Sequence, residues 1–403
     1  MAFLIGGANS AADTGFSVAN SCRFNPGDTA NLSRTKGTSY STLKGTYSVW
    51  FKLSTDAGGV TLFECGTAEE DRAVVYISSD ETLKIHSKIG NSTVLSMESD
   101  AEFRDVAAWY HLVIAIDTAD GTAANRVKVY MNGTRITSWS TETYPSQNDA
   151  LRFFTSSEIE EIGIDLEDGG KFNGYLAEVV KIDNQQLAPT SFGEFNEDSP
   201  QIWQPIDVSG LTFGTNGFYL DFEDSGTLGN NATGGADFTA NNLAATDQAT
   251  DSPTNNFCTM LPITKSTDAT FTEGNLNVAY GTESTRRSAF GTMAVANGKW
   301  YWETTITATS QTSVEINLGI SSTYNPELIG NALVSTDGFS VSFFPSNGYL
   351  YIGNTQDESG LGNAAVNDIF GHALNMDDGT LQFYKNGSAL GSANDITTSG
   401  SNV

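Results

Sequence analysis

Short stretches of alternating apolar and polar residues, stopped repeatedly by Asn-Gly or Asp-Gly pairs, constrain the fold of this 403-residue chain more than any other feature. Arg126 to Met131, Thr380 to Tyr384 and Phe339 to Phe343 each place apolar side chains at every second position. That is the period of a strand with one buried face. Asn132-Gly133, Asn347-Gly348 and Asn386-Gly387 fall where hairpins would need them. A type I′ turn requires positive φ at both central residues, which Asn and Gly tolerate. No apolar 3.6-residue period lasts three turns. The expected class is all-β, built of tandem antiparallel β-sandwich (jelly-roll) modules.

Composition places the boundaries. Asn184 to Pro205 is polar and carries Pro189, Pro200 and Pro205; Asp224 to Asn256 is rich in Gly, Asn, Ala, Thr and Asp. Large apolar residues are scarce in the second stretch, so it reads as a surface connector with few internal contacts. The expected layout is one module over 1–205, a bridging segment over 206–265 and a second module over 266–403.

The net charge of −28 excludes a nucleic-acid backbone as partner and disfavours anionic membrane surfaces. No apolar run approaches the length of a membrane span, so no membrane insertion is expected. MAFLIGGANSAADTG lacks the basic start of an export signal. Cys22, Cys65 and Cys258 have neither disulfide-framework nor zinc spacing, and three histidines are too few for a His-rich metal site. They read as small buried apolar residues, with an inter-chain disulfide left open. No cofactor is expected; Asp165, Glu167 and Asp168 leave calcium open, though their loose spacing suits a solvated turn better.

The first module carries an ordered set of signals: Thr46 to Lys52, then Trp109 to Asp117, then Val129-Tyr130-Met131-Asn132-Gly133, then Phe172 to Val179. In this order they resemble the laminin-G-like and pentraxin-like modules of the concanavalin A-like jelly-roll group, over about 150 residues. Trp109 and His111 alternate with Tyr110 and so share a sheet face. Gly174 is expected to permit close strand packing, and Glu178 to cap a buried backbone group. The resemblance also brings in glycan hydrolases, which set paired carboxylates on one strand. Glu158 and Glu160 would share a face, yet the spacing of that enzyme family is not kept, and a solvated acidic edge is the expectation.

The second module runs from Asn297-Gly298-Lys299-Trp300-Tyr301-Trp302-Glu303 through Asn317 to Ile320 and Asp368 to Met376 to Gly379 through Gly387. This resembles a SPRY domain, with Phe370, His372 and Asn375 departing from the family's usual residues. Trp300 and Trp302 share a face and are expected in the core. The family continues past the hairpin at Asn386-Gly387, so the chain is expected to be a fragment, or to borrow strands from a partner.

Between them, Gly217 to Gly226, Asp237 to Leu243 and Asp251 to Phe257 resemble a segment found in predicted tail-fibre and other structural proteins of aquatic phages. The resemblance implies a non-enzymatic virion appendage on the tail or particle surface. Its implied partners are other virion tail proteins and a host-surface glycan or protein, in a homotrimer or other symmetric homo-oligomer. Trp139 and Tyr144 are the candidate ligand contacts. A capsid-decorating or tail-adaptor role is the alternative, and a polysaccharide depolymerase is disfavoured because no catalytic constellation stands out.

Overall fold

The computed structural model describes residues 16–38, 43–55, 58–166, 169–262, 269–280, 289–309, 316–322, 340–353 and 355–396. Phe339, Glu167 and Asp168 lie outside the described residues. The chain divides into a larger unit, Gly6–Ile263 with Phe271–Asn277, and a smaller one made chiefly of Val278–Val403.

Thirteen strands open the larger unit: β1 (Ser21–Phe24), β2 (Asn31–Thr35), β3 (Lys44–Leu53), β4 (Val60–Ala68), β5 (Asp71–Ile77), β6 (Thr82–Ile89), β7 (Ser92–Glu102), β8 (Trp109–Asp117), β9 (Val127–Met131), β10 (Thr134–Arg135), β11 (Trp139–Thr143), β12 (Ile159–Ile162) and β13 (Gly174–Asp183). Five short ones follow: β14 (Gly193–Phe195), β15 (Trp203–Pro205), β16 (Phe218–Leu220), β17 (Thr239–Asn241) and β18 (Gln248–Ala249). The first sheet has the order β10-β9-β8-β3-β13-β1-β18, with β16 also on β13; the second has the order β11-β7-β6-β5-β4-β12-β2-β17. Between them lies one core, to which Val49, Phe51, Leu112, Ile114, Val75, Ile85, Leu95 and Met97 contribute. Each such side chain stabilises the fold by about 1.5–3 kcal/mol on burial.

A bulge decides which way β13 faces. The register of β13 on β3 shifts between Ala177 and Val180, and Glu178 there takes φ 48°. Leu176 and Val179 therefore both point into the core, while Ala177 and Val180 both point outward. An extra residue in one strand reverses the alternation downstream. It also turns Lys181 inward, where it is almost fully buried. Gly174 packs closely: a Cβ there would lie 2.1 Å from the Lys52 carbonyl oxygen.

The expectation for residues 206–265 is overturned. Rather than a connector with few contacts, its described part, residues 206–262, belongs to the larger unit. It adds β16 to β13, β17 to β2 and β18 to β1. The reason is the outer face of the first sheet. Trp50, Trp109, Tyr175 and Ala177 stand there beside Val113, Val180 and Ile182. Such a face cannot be left in water, and Phe192, Trp203, Val208 and Tyr219 from the following segment cover it. Asp251 is the clasp: its carboxylate accepts from Lys52 Nζ at 2.8 Å and Trp109 Nε1 at 2.9 Å.

After a two-stranded piece, β19 (Ala269–Thr272) and β20 (Asn277–Tyr280), the smaller unit holds β21 (Lys299–Thr305), β22 (Leu318–Ser321), β23 (Ser340–Phe344), β24 (Tyr349–Ile352), β25 (Thr355–Glu358), β26 (Ile369–Asn375), β27 (Thr380–Lys385) and β28 (Ser388–Asp395). Two four-stranded sheets result, β21-β26-β27-β28 and β22-β23-β24-β25. Their core contains Val341, Phe343, Leu350, Phe370, Leu381 and Phe383, against which Trp300 and Trp302 pack. Asn132-Gly133 and Asn386-Gly387 take positive φ at both residues, as a type I′ hairpin needs. Asn347-Gly348 differs. Only Gly348 has positive φ, and it ends a longer turn in which its N–H donates to the Phe344 carbonyl at 3.1 Å.

Candidate functional site

With the first sheet covered on both sides, the outer face of the second is the broad polar sheet surface of the larger unit. Alternation builds it. Leu83 and Ile85 of β6 point into the core, so Lys84 and His86 point out. On β5, Ala73, Val75 and Ile77 face inward, leaving Arg72, Val74 and Tyr76 outward. Register then sets Tyr76 opposite Lys84 and Lys84 opposite Glu98, while Val74 stands opposite His86 and His86 opposite Ser96.

The centre of this face is a ring pair. Tyr76 and His86 meet edge to face, with centroids 5.6 Å apart and planes at 82°. Both are half-buried. Burial raises the Tyr76 pKa and lowers that of His86, the latter helped by the neighbouring Lys84. Both are therefore neutral near pH 7. Neither the Tyr76 hydroxyl nor an imidazole nitrogen of His86 has a hydrogen-bond partner among the described residues. The flanking charges, by contrast, are already paired. Lys84 Nζ lies 3.1 Å from Glu98 Oε1, and Arg72 Nη1 lies 3.0 Å from Glu64 Oε1. Burial pushes Glu64 up to about 7 against the pull of Arg72, and its second oxygen accepts from the Leu166 N–H at 2.9 Å. Neutral donors and acceptors beside an aromatic surface suit an uncharged, hydroxyl-rich ligand.

Trp139 and Tyr144 lie elsewhere. β11 is the edge strand of the same sheet, two strands from β6. Both rings are half-buried and pack against the core, and the Tyr144 hydroxyl donates to Glu142 at 2.6 Å. Sequence reasoning sought exposed aromatics in loops and missed Tyr76 and His86. The signal for them was the outward phase of two alternating strands.

The acidic edge expected at Glu158 and Glu160 is also corrected. β12 is an inner strand between β4 and β2, and both glutamates are buried. Glu160 faces the core, where it pairs with Lys181 and with Arg34 Nη2 at 2.7 Å. Burial alone would raise its pKa, but Lys181, Arg34 and Lys36 outweigh that and hold it low. An inward carboxylate survives there because cations surround it. Glu178 accepts from the Tyr219 hydroxyl at 2.8 Å rather than from backbone. Asp165 accepts from the Gly169 N–H at 2.8 Å. Among the described residues, no three His, Cys, Asp or Glu side chains converge as a metal site.

His111 is structural. It stacks on Trp50 with centroids 4.5 Å apart, and Trp203 Nε1 donates to its Nδ1 at 2.8 Å. Its Nε2 therefore carries the proton and meets Ser48 Oγ at 2.8 Å. Burial lowers the pKa to about 3. The fold thus favours the neutral ring, and this contribution is complete above the unfolded value near 6.5. It should fade as pH falls from there towards 3, by on the order of 5 kcal/mol in total. Glu178 acts in the opposite sense, because burial raises it to about 8. Its contribution is complete below about 4.5 and is lost as pH rises through 8. Urea melts from pH 4 to 9 should show both slopes, and Glu178→Gln should flatten only the alkaline one. An unchanged alkaline slope in that variant would contradict the assignment.

In the smaller unit, Lys299, Trp300, Tyr301, Asn375, Thr380 and Gln382 line a shallow open depression. Tyr301 is 59% exposed there, and its hydroxyl donates to Glu303 at 2.8 Å.

Comparison with known proteins agrees with this architecture. Residues 26–187 match the family described as the concanavalin A-like lectin/glucanases superfamily, and residues 299–400 match the SPRY domain. The chain is thus similar to these two families over those two stretches, and its fold is all-β, of the concanavalin A-like kind. Among solved structures, it is similar to the heptameric SAP-like pentraxin of Limulus polyphemus, at 17% identity over 43% of this chain and 80% of that one, with TM-score 0.33. The LG1–3 region of the laminin α2 chain is 9% identical over 94% of this chain and 56% of that one, with TM-score 0.39. The enzymatically active domain of tailspike protein 2 from bacteriophage CBA120 is 14% identical over 40% of this chain and 25% of that one, with TM-score 0.31. The chain therefore spans little more than half of the laminin fragment and a quarter of the tailspike. No curated protein matches.

Proposed function

We propose that this chain is a subunit of a phage tail-fibre-like virion appendage, and that the Tyr76–His86 face of its larger unit binds a host-surface glycan. The observation that carries the binding role is the unused hydrogen-bonding capacity of two half-buried neutral rings on an otherwise charge-paired face. Sugars present hydroxyls and apolar C–H faces, which such a pair meets with one donor–acceptor set and one flat surface. The virion setting is supported by the resemblance of Gly217 to Phe257 to tail-fibre segments. The charge of −28 keeps such a surface soluble and free of non-specific adhesion. In this reading the protein binds and does not catalyse, and repeated copies in a symmetric appendage strengthen individually weak contacts.

The test is a glycan array probed with the purified chain, followed by host-cell adsorption. Tyr76→Ala and His86→Ala should each weaken binding roughly tenfold or more, since each contact is worth about 1.4 kcal/mol. Both variants should melt like the wild type, because neither ring fills the core. Wild-type affinity in both variants, or no glycan bound by the wild type, would defeat this reading.

A further inference from the structure

A buried amine and a buried thiol meet inside the larger unit in a way that neither binding nor packing requires. Lys36, which follows β2, is 3% exposed, and Cys65 of β4 is fully buried. Lys36 Nζ lies 2.6 Å from Cys65 Sγ. That is as short as a hydrogen bond to oxygen, although sulfur is the larger atom. Both groups converge on one carbonyl: Lys36 Nζ donates to Arg152 O at 2.9 Å, and the Cys65 thiol donates to it at 3.1 Å. Lys36 Nζ also lies 3.3 Å from Phe153 O. The pair is thus fixed from several sides. Lys181 is nearby and Glu160 pairs with Lys181 and Arg34, so that among the described residues no carboxylate lies within ion-pair distance of the Lys36 amine.

We propose that Lys36 and Cys65 form an oxidation-dependent covalent cross-link through a single bridging oxygen, Nζ–O–Sγ. A direct S–N bond would require the atoms to close by most of an ångström, whereas one intervening oxygen spans the observed gap. The oxidant is hydrogen peroxide. One amine, one thiol and two peroxides give the bridge and three waters. One N–H, one S–H and both peroxide O–O bonds break; one N–O and one O–S bond form. Nitrogen and sulfur each lose two electrons, and the two peroxides accept all four. Cysteine oxidation through a sulfenic acid that condenses with a nearby nitrogen is the related chemistry. Burial pushes the thiol up to about 11, so the reaction is slow and needs an excess of peroxide. The bridge would tie β2 to β4 across β12, in whose register Arg34, Glu160 and Cys65 form one row. A thiol reductant would reverse it.

The 403-residue chain provides its own controls, because Cys22 is buried with no hydrogen bond to a lysine among the described residues, and Cys258 is exposed. After peroxide treatment, denaturation and alkylation, the Lys36 and Cys65 peptides should appear joined, with one oxygen gained and two hydrogens lost. Dithiothreitol should separate them and restore an alkylatable Cys65. Lys36→Arg and Cys65→Ser should both abolish the joined species while Cys258 remains as reactive as before. Three results would each overturn the proposal: Cys65 fully alkylatable after treatment, Cys65 as sulfinic acid with Lys36 unmodified, or peptides joined without added oxygen.

Discussion

Asp251→Ala is expected to lower the stability of the larger unit by about 3–5 kcal/mol, the range for removing one partner of a buried ion pair. The carboxylate lies among Lys52, Trp109 and the Phe257 N–H, and the Lys52 side chain is 1% exposed. Without Asp251 the ammonium keeps only Asn256 Oδ1 at 2.7 Å and the Phe257 carbonyl at 2.8 Å. It then remains desolvated and uncompensated. The loss should be local at first. Limited proteolysis should cut within 224–256 well before the rest of the unit, and Lys52→Met added to the variant should recover part of the loss. An unfolding free energy from urea melts within about 1 kcal/mol of wild type would show that the clasp is dispensable.

Glu160→Gln should cost a similar amount by a different route, again about 3–5 kcal/mol. The variant keeps the volume but leaves Lys181 and Arg34 as buried cations with one neutral amide between them. Burial already lowers the Lys181 pKa although Glu160 opposes it, so the variant should allow that amine to lose its proton more readily. Stability of the variant should therefore depend more steeply on pH in the alkaline range than that of the wild type. Ile159→Thr, on the exposed side of the same strand, should stay within about 0.5 kcal/mol. Equal stability of Glu160→Gln and wild type would mean the amine is already neutral in the native protein.

The strands and two of the three marked hairpins were legible because alternation and Asn-Gly turns are local. Trp109 and His111 share a face, as their spacing required, and Trp300 and Trp302 pack on their core. The 206–265 segment was not legible because β16, β17 and β18 span only two or three residues each, too short to show a period. What holds them is distant: Ser252 Oγ donates to the Val18 carbonyl at 2.7 Å, and Ser21 Oγ to that of Asp251 at 2.6 Å. Glu160 misled for a related reason. Its inward position follows from alternation with Ile162 reversed in chemistry, and the cations that permit it come from β2 and β13. The bulge at Glu178, which turns Lys181 inward, has no local signature either. Tyr76 and His86 were readable from period alone but not sought on strands.

The pairing of Ser21 with Ala249 has a consequence for synthesis. Nearly the whole larger unit must leave the ribosome before β1 gains its second neighbour, so the nascent chain waits with the outer face of the first sheet incompletely covered. An expression boundary drawn at residue 187 or 205, where the family match or the proline-rich stretch suggests one, would make that waiting state permanent. Chaperone dependence during translation, and inclusion bodies from such shortened versions, are what this topology brings with it.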